Sequence, residues 1–281
     1  MTTRRNFMKI ALLGAVAATG KTFAASDAID TLPQALEALK SISKSGNIGE
    51  YVASIGQLFL GKPYIGGTLD ENESEELTYT FDGFDCVTFC ETVISLAHLA
   101  QLGEYTIPAF ERELTKIRYR GGILNDYSSR SHYTSEWIRS NEDLGIIKDL
   151  SQELGGILFS SKLNFMSTHP NFYSALKNSP EMVKKIVANE NRINACKRFY
   201  IPKAEFGKIE RDISSGDMIA IVTGKAGLDY SHVGLALRKN NGKLHFMHAS
   251  SAKKCVIIDS TLAEYLERNT SSLGISVLRP L

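Results

Sequence analysis

The sequence predicts one α+β domain in which helices come first and an antiparallel β-sheet follows. Up to Gly216, apolar residues recur mainly at helical spacing. After Gly216 the chain consists of short β-rich segments separated by Gly, Asn, Lys and Asp, which is typical of antiparallel strands. No βαβ alternation, internal repeat or low-complexity linker divides the sequence. We therefore expect the helices to pack on one face of the sheet.

Composition limits the classes of protein that fit. The 281 residues are 43% hydrophobic and 22% charged, which excludes disorder, collagen-like repeats and a coiled coil. The 32 basic residues nearly balance the 31 acidic ones, so no overall positive field attracts nucleic acid or an anionic membrane. We expect no nucleic-acid partner, and we expect a monomer.

The first 25 residues predict an export signal. Arg4, Arg5 and Lys9 precede a short apolar run over residues 10–18, and small residues follow around Ala25. The run is about half of the ~20 residues that span a bilayer. The arginine pair, with Phe7 close behind, resembles a twin-arginine signal, and a Sec signal is the alternative. These features predict a mature domain over residues 26–281, periplasmic or otherwise outside the cytoplasm, without stable membrane insertion.

The elements follow from periodicity and from Pro and Gly positions. The stretch 30–60 predicts two helices, residues 70–76 form an acidic loop, and residues 121–132 and 164–171 are ordered loops. Further helices are predicted over 85–102, 108–119, 133–144, 180–199 and 262–268. Strands are predicted over 218–223, 232–237, 243–248, 256–259 and 274–278.

Cys86 is the first candidate for chemistry. Asp85 is a natural N-cap, so Cys86 falls in the first turn of the helix predicted over 85–102. The amides and dipole of a helix N-terminus favour an anion, which predicts a lowered thiol pKa. Cys90 lies one turn further on the same face and is predicted to pack in the core.

Two histidines on consecutive strands are the natural partners of this thiol. His232 begins one strand and His248 ends the next, so one ring could act as a base and the other could orient it. A three-residue loop centred on Asn240 would set the two histidines opposite each other, whereas an Asn241-Gly242 turn would pair His232 with Ser251. His245 has the opposite parity and is expected on the sheet surface.

Four motifs in order resemble the NlpC-type, papain-like cell-wall cysteine hydrolases. They are Gly61-Lys62-Pro63-Tyr64-Ile65-Gly66-Gly67, Asp85-Cys86-Val87-Thr88-Phe89, Ser231-His232-Val233-Gly234 and His248-Ala249-Ser250. Each motif alone is weak, but their order is specific. The segment 118–137 is similar to the N-acetylmuramoyl-L-alanine amidase-like branch. The resemblance covers most of the chain from about Tyr51 onward. It implies a papain-like fold in which the cysteine helix packs on a small antiparallel sheet, with extra helices.

The resemblance also implies roles for individual residues. Cys86 would be the nucleophile, His232 the general base and His248 the residue that orients the base. Tyr64 would line the cleft beside the cysteine. The set predicted to contact substrate is Tyr64, Asp85, Arg130, His132, Tyr133 and Ser231. Arginine suits carboxylates and aromatic rings suit sugars, so the loop that contains Arg130 to Tyr133 is the predicted subsite, whereas Trp137 is expected to pack in a helix.

The substrate implied is a peptidoglycan fragment, with no cofactor and no metal. The first hypothesis is cleavage of the amide between N-acetylmuramic acid and L-alanine, with 1,6-anhydro forms preferred. The alternative is a γ-D-glutamyl-diamino acid endopeptidase that uses the same catalytic residues. A binding module without activity would lack the nucleophile or the base, and a zinc site at Cys86, Cys90, His232 and His248 has poor ligand spacing. Only Cys196–Cys255 is considered as a disulfide.

Overall fold

A computed structural model describes residues 29–42 and 46–281. The predicted export signal and its cleavage point lie outside these residues. Within the part of the chain that the structure describes, no helix has both the length and the apolarity needed to cross a membrane.

The described residues form ten α-helices. They are α1 (Leu32–Leu39), α2 (Ile48–Gln57), α3 (Cys86–Leu102), α4 (Ile107–Arg118), α5 (Thr134–Asp143), α6 (Phe165–Thr168), α7 (Ser174–Lys177), α8 (Pro180–Asn194), α9 (Phe206–Ile209) and α10 (Leu262–Arg268). Pro108 and Pro180 lie in the first turns of α4 and α8, where a missing N–H costs nothing, as predicted. The loop over 121–132 and its borders contain short 3-10 turns at Arg120–Gly122 and Tyr127–Ser129.

Eight strands pair antiparallel throughout. They are β1 (Ile147–Asp149), β2 (Ile157–Leu158), β3 (Phe199–Pro202), β4 (Met218–Thr223), β5 (Tyr230–Arg238), β6 (Leu244–Ser250), β7 (Cys255–Thr261) and β8 (Ser272–Pro280). Their order in the sheet is β2-β3-β8-β4-β5-β6-β7, and β1 pairs with the end of β8. The α+β class and the antiparallel sheet are confirmed.

The structure corrects three expectations about the fold. The loop predicted over 164–171 contains the short helix α6. The helix predicted over 180–199 ends at Asn194, and Phe199 instead begins β3 at the far side of the sheet. Helices also cover both faces of the sheet, because α9 and α10 pack a second core of Phe206, Ile209, Leu262 and Leu266 against Ile219, Ile221 and Phe246. The sheet is buried on both sides, so β4 is buried along its whole length and is apolar up to Thr223 rather than alternating.

The long helix α3 occupies the centre of the first core. Its side chains Phe89, Cys90, Val93 and Ile94 are fully buried against α1, α2, α4 and the facing side of β4 to β6. Gly103 ends the helix in the left-handed conformation at φ 73°, which glycine adopts without steric cost. Because the helix is fixed along its whole length, its first residue Cys86 has a defined position beside the sheet.

Candidate active site

Asp85 fixes the start of α3. Its Oδ1 accepts hydrogen bonds from the N–H groups of Val87 at 3.0 Å and Thr88 at 2.7 Å. The Thr88 hydroxyl in turn accepts from the Asp85 N–H at 2.9 Å, which completes a reciprocal cap. The predicted N-cap is confirmed, and it sets Cys86 as the first residue of the helix.

The environment of the Cys86 thiol differs from the prediction of a lowered pKa. Burial raises the pKa of Cys86 to about 12, and the Asp85 carboxylate adds to the rise. Backbone N–H groups of Val233, Cys86 and Val87 favour the thiolate but do not outweigh burial. The capping carboxylate thus opposes the helix dipole, and the resting sulfur is a neutral thiol.

His232 and His248 contact each other directly. Nε2 of His232 lies 2.7 Å from Nδ1 of His248, with the two rings nearly perpendicular. The β5–β6 register pairs Leu235 with Met247 through a three-residue loop centred on Asn241, so direct opposition of the histidines is wrong. The observed register differs from the predicted one by two residues. A shift of two residues keeps both histidines on the same face of the sheet, and their rings meet diagonally.

Gly234 explains how the diagonal contact is possible. Continuing the register places it across from His248, and a Cβ on Gly234 would lie 2.7 Å from the His248 Cβ and 2.6 Å from Phe246 Cε2. The Phe246 ring and the His248 Cβ therefore occupy the space above the glycine. The Ser-His-Val-Gly motif contains a glycine for this packing reason.

Gly234→Ala is expected to displace His248 and lower kcat on a cleavable substrate about 10- to 100-fold, with a smaller effect on thermal stability. Steady-state kinetics on the variant measures this. Gly224→Ala is the control, because a Cβ there meets only Leu273, at 3.4 Å or more. Equal activity of Gly234→Ala and the wild-type protein would contradict the packing account.

Both histidines are uncharged, and His248 is buried whereas His232 is half-buried. Burial, together with the neighbouring His248, lowers the pKa of His232 to about 3. Burial also lowers the pKa of His248, although Asp259 opposes this. Phe246 stacks on the His248 ring at 4.6 Å, and Tyr265 of α10 lies 5.5 Å from that ring. Cys86 and His232, which line the same cavity, therefore rest as a neutral thiol and a neutral imidazole.

These pKa directions predict how Cys86 reacts with iodoacetamide. A neutral thiol with a pKa near 12 yields about tenfold more thiolate per pH unit, so alkylation should rise steadily from pH 5 to pH 9. Peptide mass spectrometry of Cys86 across this pH range measures the rate, with Cys196 in the same digest as a reagent control. A plateau of reactivity beginning near pH 5 would show a preformed thiolate–imidazolium pair instead.

A cavity of about 270 Å³ brings the candidates together. Its wall includes five of the residues predicted from sequence: Cys86, His132, Tyr133, Ser231 and His232. An adjoining cavity of about 200 Å³ shares His132 and is lined by Asp85 and Arg130. Burial raises the pKa of Tyr64, and the charges of Cys86 and Asp85 add to the rise, but neither cavity includes Tyr64 in its wall.

The predicted subsite residues are largely engaged within the protein. Nη1 of Arg130 donates to the Leu69 carbonyl at 2.7 Å, and its Nη2 pairs with Asp70. The Tyr133 hydroxyl donates to Glu190 at 2.8 Å. Arg130 and Tyr133 thus build the cavity wall, and their contact with substrate stays a prediction.

His132 is the subsite residue with a ring nitrogen left over. Its Nε2 lies 2.7 Å from the Tyr127 carbonyl, so this nitrogen carries the hydrogen and Nδ1 is an acceptor. Burial lowers the pKa of His132 to about 3, which keeps the ring neutral.

Three further features of the site can be compared with the predictions from sequence. All four cysteines are free, so the Cys196–Cys255 pairing is wrong. Trp137 is buried, as predicted, and donates to Glu91 at 3.2 Å. Asp259 lies 3.5 Å from the outer nitrogen of His248 and was not singled out. A carboxylate in the strand after a histidine is a weak signal without the strand register.

The fold and the cavity define a class of proteins: α+β domains with a candidate acyl-transfer site of one thiol and two histidines. The model of a protein family described as N-acetylmuramoyl-L-alanine amidase-like matches residues 54–275. The chain belongs to this N-acetylmuramoyl-L-alanine amidase-like family.

The chain is also similar to several solved structures. An N-acetylmuramoyl-L-alanine amidase from Bacteroides uniformis ATCC 8492 is 35% identical with a TM-score of 0.78, over 84% of this chain and 100% of that one. A Bacteroides fragilis protein with the provisional name of xylanase is 38% identical with a TM-score of 0.74, over 80% and 98% of the two chains. A protein from Legionella pneumophila str. Philadelphia 1 is 25% identical with a TM-score of 0.65, over 89% and 93%. No match was found among curated proteins.

Proposed function

We propose that this protein is an exported, cysteine-dependent N-acetylmuramoyl-L-alanine amidase with a papain-like, NlpC-type site. It cleaves the amide between N-acetylmuramic acid and L-alanine in muropeptides, including 1,6-anhydro forms. The observation that carries the proposal is the cavity that holds Cys86 at the start of α3 together with His232, whose far nitrogen contacts His248. The family implies a peptidoglycan substrate.

The reaction follows from the neutral resting pair. The sulfur of Cys86 attacks the lactyl carbonyl while His232 takes the thiol proton, so no thiolate has to exist beforehand. His232 then gives this proton to the nitrogen of L-alanine, the C–N bond breaks, and the peptide leaves as an amine. Water attacks the resulting thioester with His232 as base, which releases the muramic acid carboxylate and restores the thiol.

Two features suit this site to an amide substrate. The backbone N–H of Cys86 at the start of α3 is placed to stabilise the oxyanion of the tetrahedral intermediate. The free Nδ1 of neutral His132 accepts a hydrogen bond from a substrate N–H or hydroxyl group. Ser231 precedes the base in the chain and lines the same cavity, and a contact of Tyr64 with substrate is part of this proposal.

The carboxylates of the cavity argue against glycosidic cleavage, which needs a free acid and a second carboxylate. Asp229 accepts hydrogen bonds from the N–H groups of Ser135 and Tyr230, at 2.7 and 2.8 Å. Asp70 pairs with Arg130. Both carboxylates that line this cavity therefore make structural contacts within its wall.

Two defined substrates test the bond that is cleaved. One is an anhydromuramoyl tetrapeptide, and the other is the same tetrapeptide with a free L-alanine amino terminus. Mass spectrometry should show the anhydro-sugar and the intact peptide from the first substrate and no cleavage of the second. Release of an L-Ala–D-Glu dipeptide from either substrate, free or still joined to the sugar, would replace the amidase with the endopeptidase.

A further inference from the structure

The histidine pair continues into a charged group on the next strand. Nε2 of His248 lies 3.5 Å from Oδ2 of Asp259 on β7, and the Asp259 side chain is 16% exposed. The β6–β7 ladder pairs His248 with Ile257 and shifts register between His245 and Met247. Asp259 lies two residues beyond Ile257 and therefore on the same face of the sheet, beside the outer edge of the His248 ring. The proposed series of interacting side chains is therefore Cys86, His232, His248 and Asp259.

The Asp259 carboxylate is held in place from two sides. Its Oδ1 accepts the Ser260 N–H at 2.6 Å, and its Oδ2 accepts from Nη2 of Arg268 at 3.0 Å. Although burial opposes it, these hydrogen bonds lower the pKa of Asp259, so the group remains an anion. An ionised carboxylate only accepts hydrogen bonds, and it therefore favours a hydrogen on the facing Nε2 of His248, a buried nitrogen that has no hydrogen-bond partner among the described residues.

We propose that Asp259 is a positioning residue that selects the tautomer of both histidines. A hydrogen on Nε2 of neutral His248 leaves Nδ1 as an acceptor. This Nδ1 lies 2.7 Å from Nε2 of His232, which must then carry its hydrogen. Nδ1 of His232 is thereby left unprotonated, as the base for Cys86 requires.

The reversed arrangement shows why this selection matters. If Nδ1 of His248 carried the hydrogen, it would donate to Nε2 of His232, and the neutral His232 would carry its hydrogen on Nδ1. That ring could not take the thiol proton. The same contact would also be 2.7 Å long, so the histidine pair alone does not choose between the two directions. The fixed carboxylate at the outer end breaks the symmetry.

The proton balance of the reaction also uses Asp259, and this part rests on the proposed function. When His232 takes the thiol proton it becomes a cation, with Nε2–H directed to His248 and the His248 Nε2–H directed to the carboxylate. The charged groups facing the pair are Asp259 on β7 and Arg268 on α10, with Cys86 and Tyr265 as the neighbouring titratable groups. Asp259 is the only anion in this set.

The tautomers can be read without any substrate. The full chain, labelled with ¹⁵N at its six histidines, is examined by long-range ¹H–¹⁵N correlation, with assignments from single substitutions. We expect hydrogens on Nε2 of both His232 and His248 in the wild-type protein. Asp259→Leu should shift both rings toward the opposite tautomer, whereas Asp259→Asn, which keeps an acceptor oxygen, should retain the native one.

The kinetic effect should follow the tautomer. We expect Asp259→Leu to lower kcat roughly 10- to 100-fold with little change in KM, and Asp259→Asn to lose less. The loss is smaller than for an aspartate directly on the base because Asp259 acts through one further ring. Glu267→Gln, an exposed carboxylate on the same helix as Arg268, is the matched control and should change neither readout.

The outcomes separate the two proposals. If both histidines keep Nε2–H in folded Asp259→Leu, the positioning role is wrong, whatever happens to activity. If the tautomers shift but the wild-type protein cleaves no muropeptide, the positioning role stands and the proposed function fails. Asp259→Ser replaces the leucine variant if circular dichroism shows that the latter is unfolded, and the same tautomer criterion applies to it.

Discussion

Cys86→Ser should lower kcat on an anhydromuramoyl peptide by about four orders of magnitude or more, with little change in the free energy of unfolding. A serine hydroxyl at this position has the same neutral His232 as its only base, and oxygen is far harder to deprotonate than sulfur. The side chains are nearly isosteric, so the start of α3, held by Asp85, should persist. Steady-state kinetics and thermal denaturation measure the two effects.

Cys196→Ser is the matched control, since Cys196 is also a free and half-buried thiol. It should retain wild-type activity. If Cys86→Ser kept more than about a tenth of the wild-type kcat, the nucleophile would have to be another group and the mechanism would be wrong.

Arg118→Met should destabilise the fold by about 3–5 kcal/mol. Arg118 and Glu91 are each only 2% exposed, and Nε of Arg118 donates to Oε2 of Glu91 at 2.7 Å. Burial raises the pKa of Glu91, and Arg118 is the main group that opposes this rise. Removing the guanidinium leaves the Glu91 carboxylate buried between α3 and α4 without a cation, although the Trp137 N–H still donates to it.

Chemical denaturation measures this loss, and two further variants interpret it. The double variant Glu91→Gln/Arg118→Met should recover part of the stability, because no charge then remains buried. Arg112→Met removes an exposed partner of Glu104 and should cost no more than about 1 kcal/mol. Equal losses for Arg118→Met and Arg112→Met would contradict the buried-pair account.

Features that depend on neighbouring residues of a single helix or strand could be predicted from the sequence. The start of α3 could be read from the sequence because the Asp85 cap involves neighbours only three residues away. The strands β4 to β8 and the helix α10 follow from apolar runs and turn residues. The motif order brought Cys86, His232 and His248 into one hypothesis, and the cavity places the first two in one wall.

The features that could not be predicted from the sequence depend on contacts between residues far apart in the chain. Arg130 pairs with Asp70, 60 positions away, and nothing in either segment indicates the other. The β5–β6 register depends on one residue of the 240–242 loop, where Gly242 has φ 78°. The position of Asp259 depends on the β6–β7 register, which pairs His248 with Ile257. The pKa of Cys86 was misjudged because the depth of burial is a tertiary property.

The covalent intermediate gives the most direct test of the account. The protein is mixed with an anhydromuramoyl tetrapeptide, quenched with acid during turnover, digested and mapped by mass spectrometry. The account predicts that the anhydromuramoyl group is attached as a thioester to the peptide that contains Cys86, with the tetrapeptide released. Turnover with no adduct on Cys86 across the time course, or an adduct that carries L-Ala–D-Glu, would contradict it.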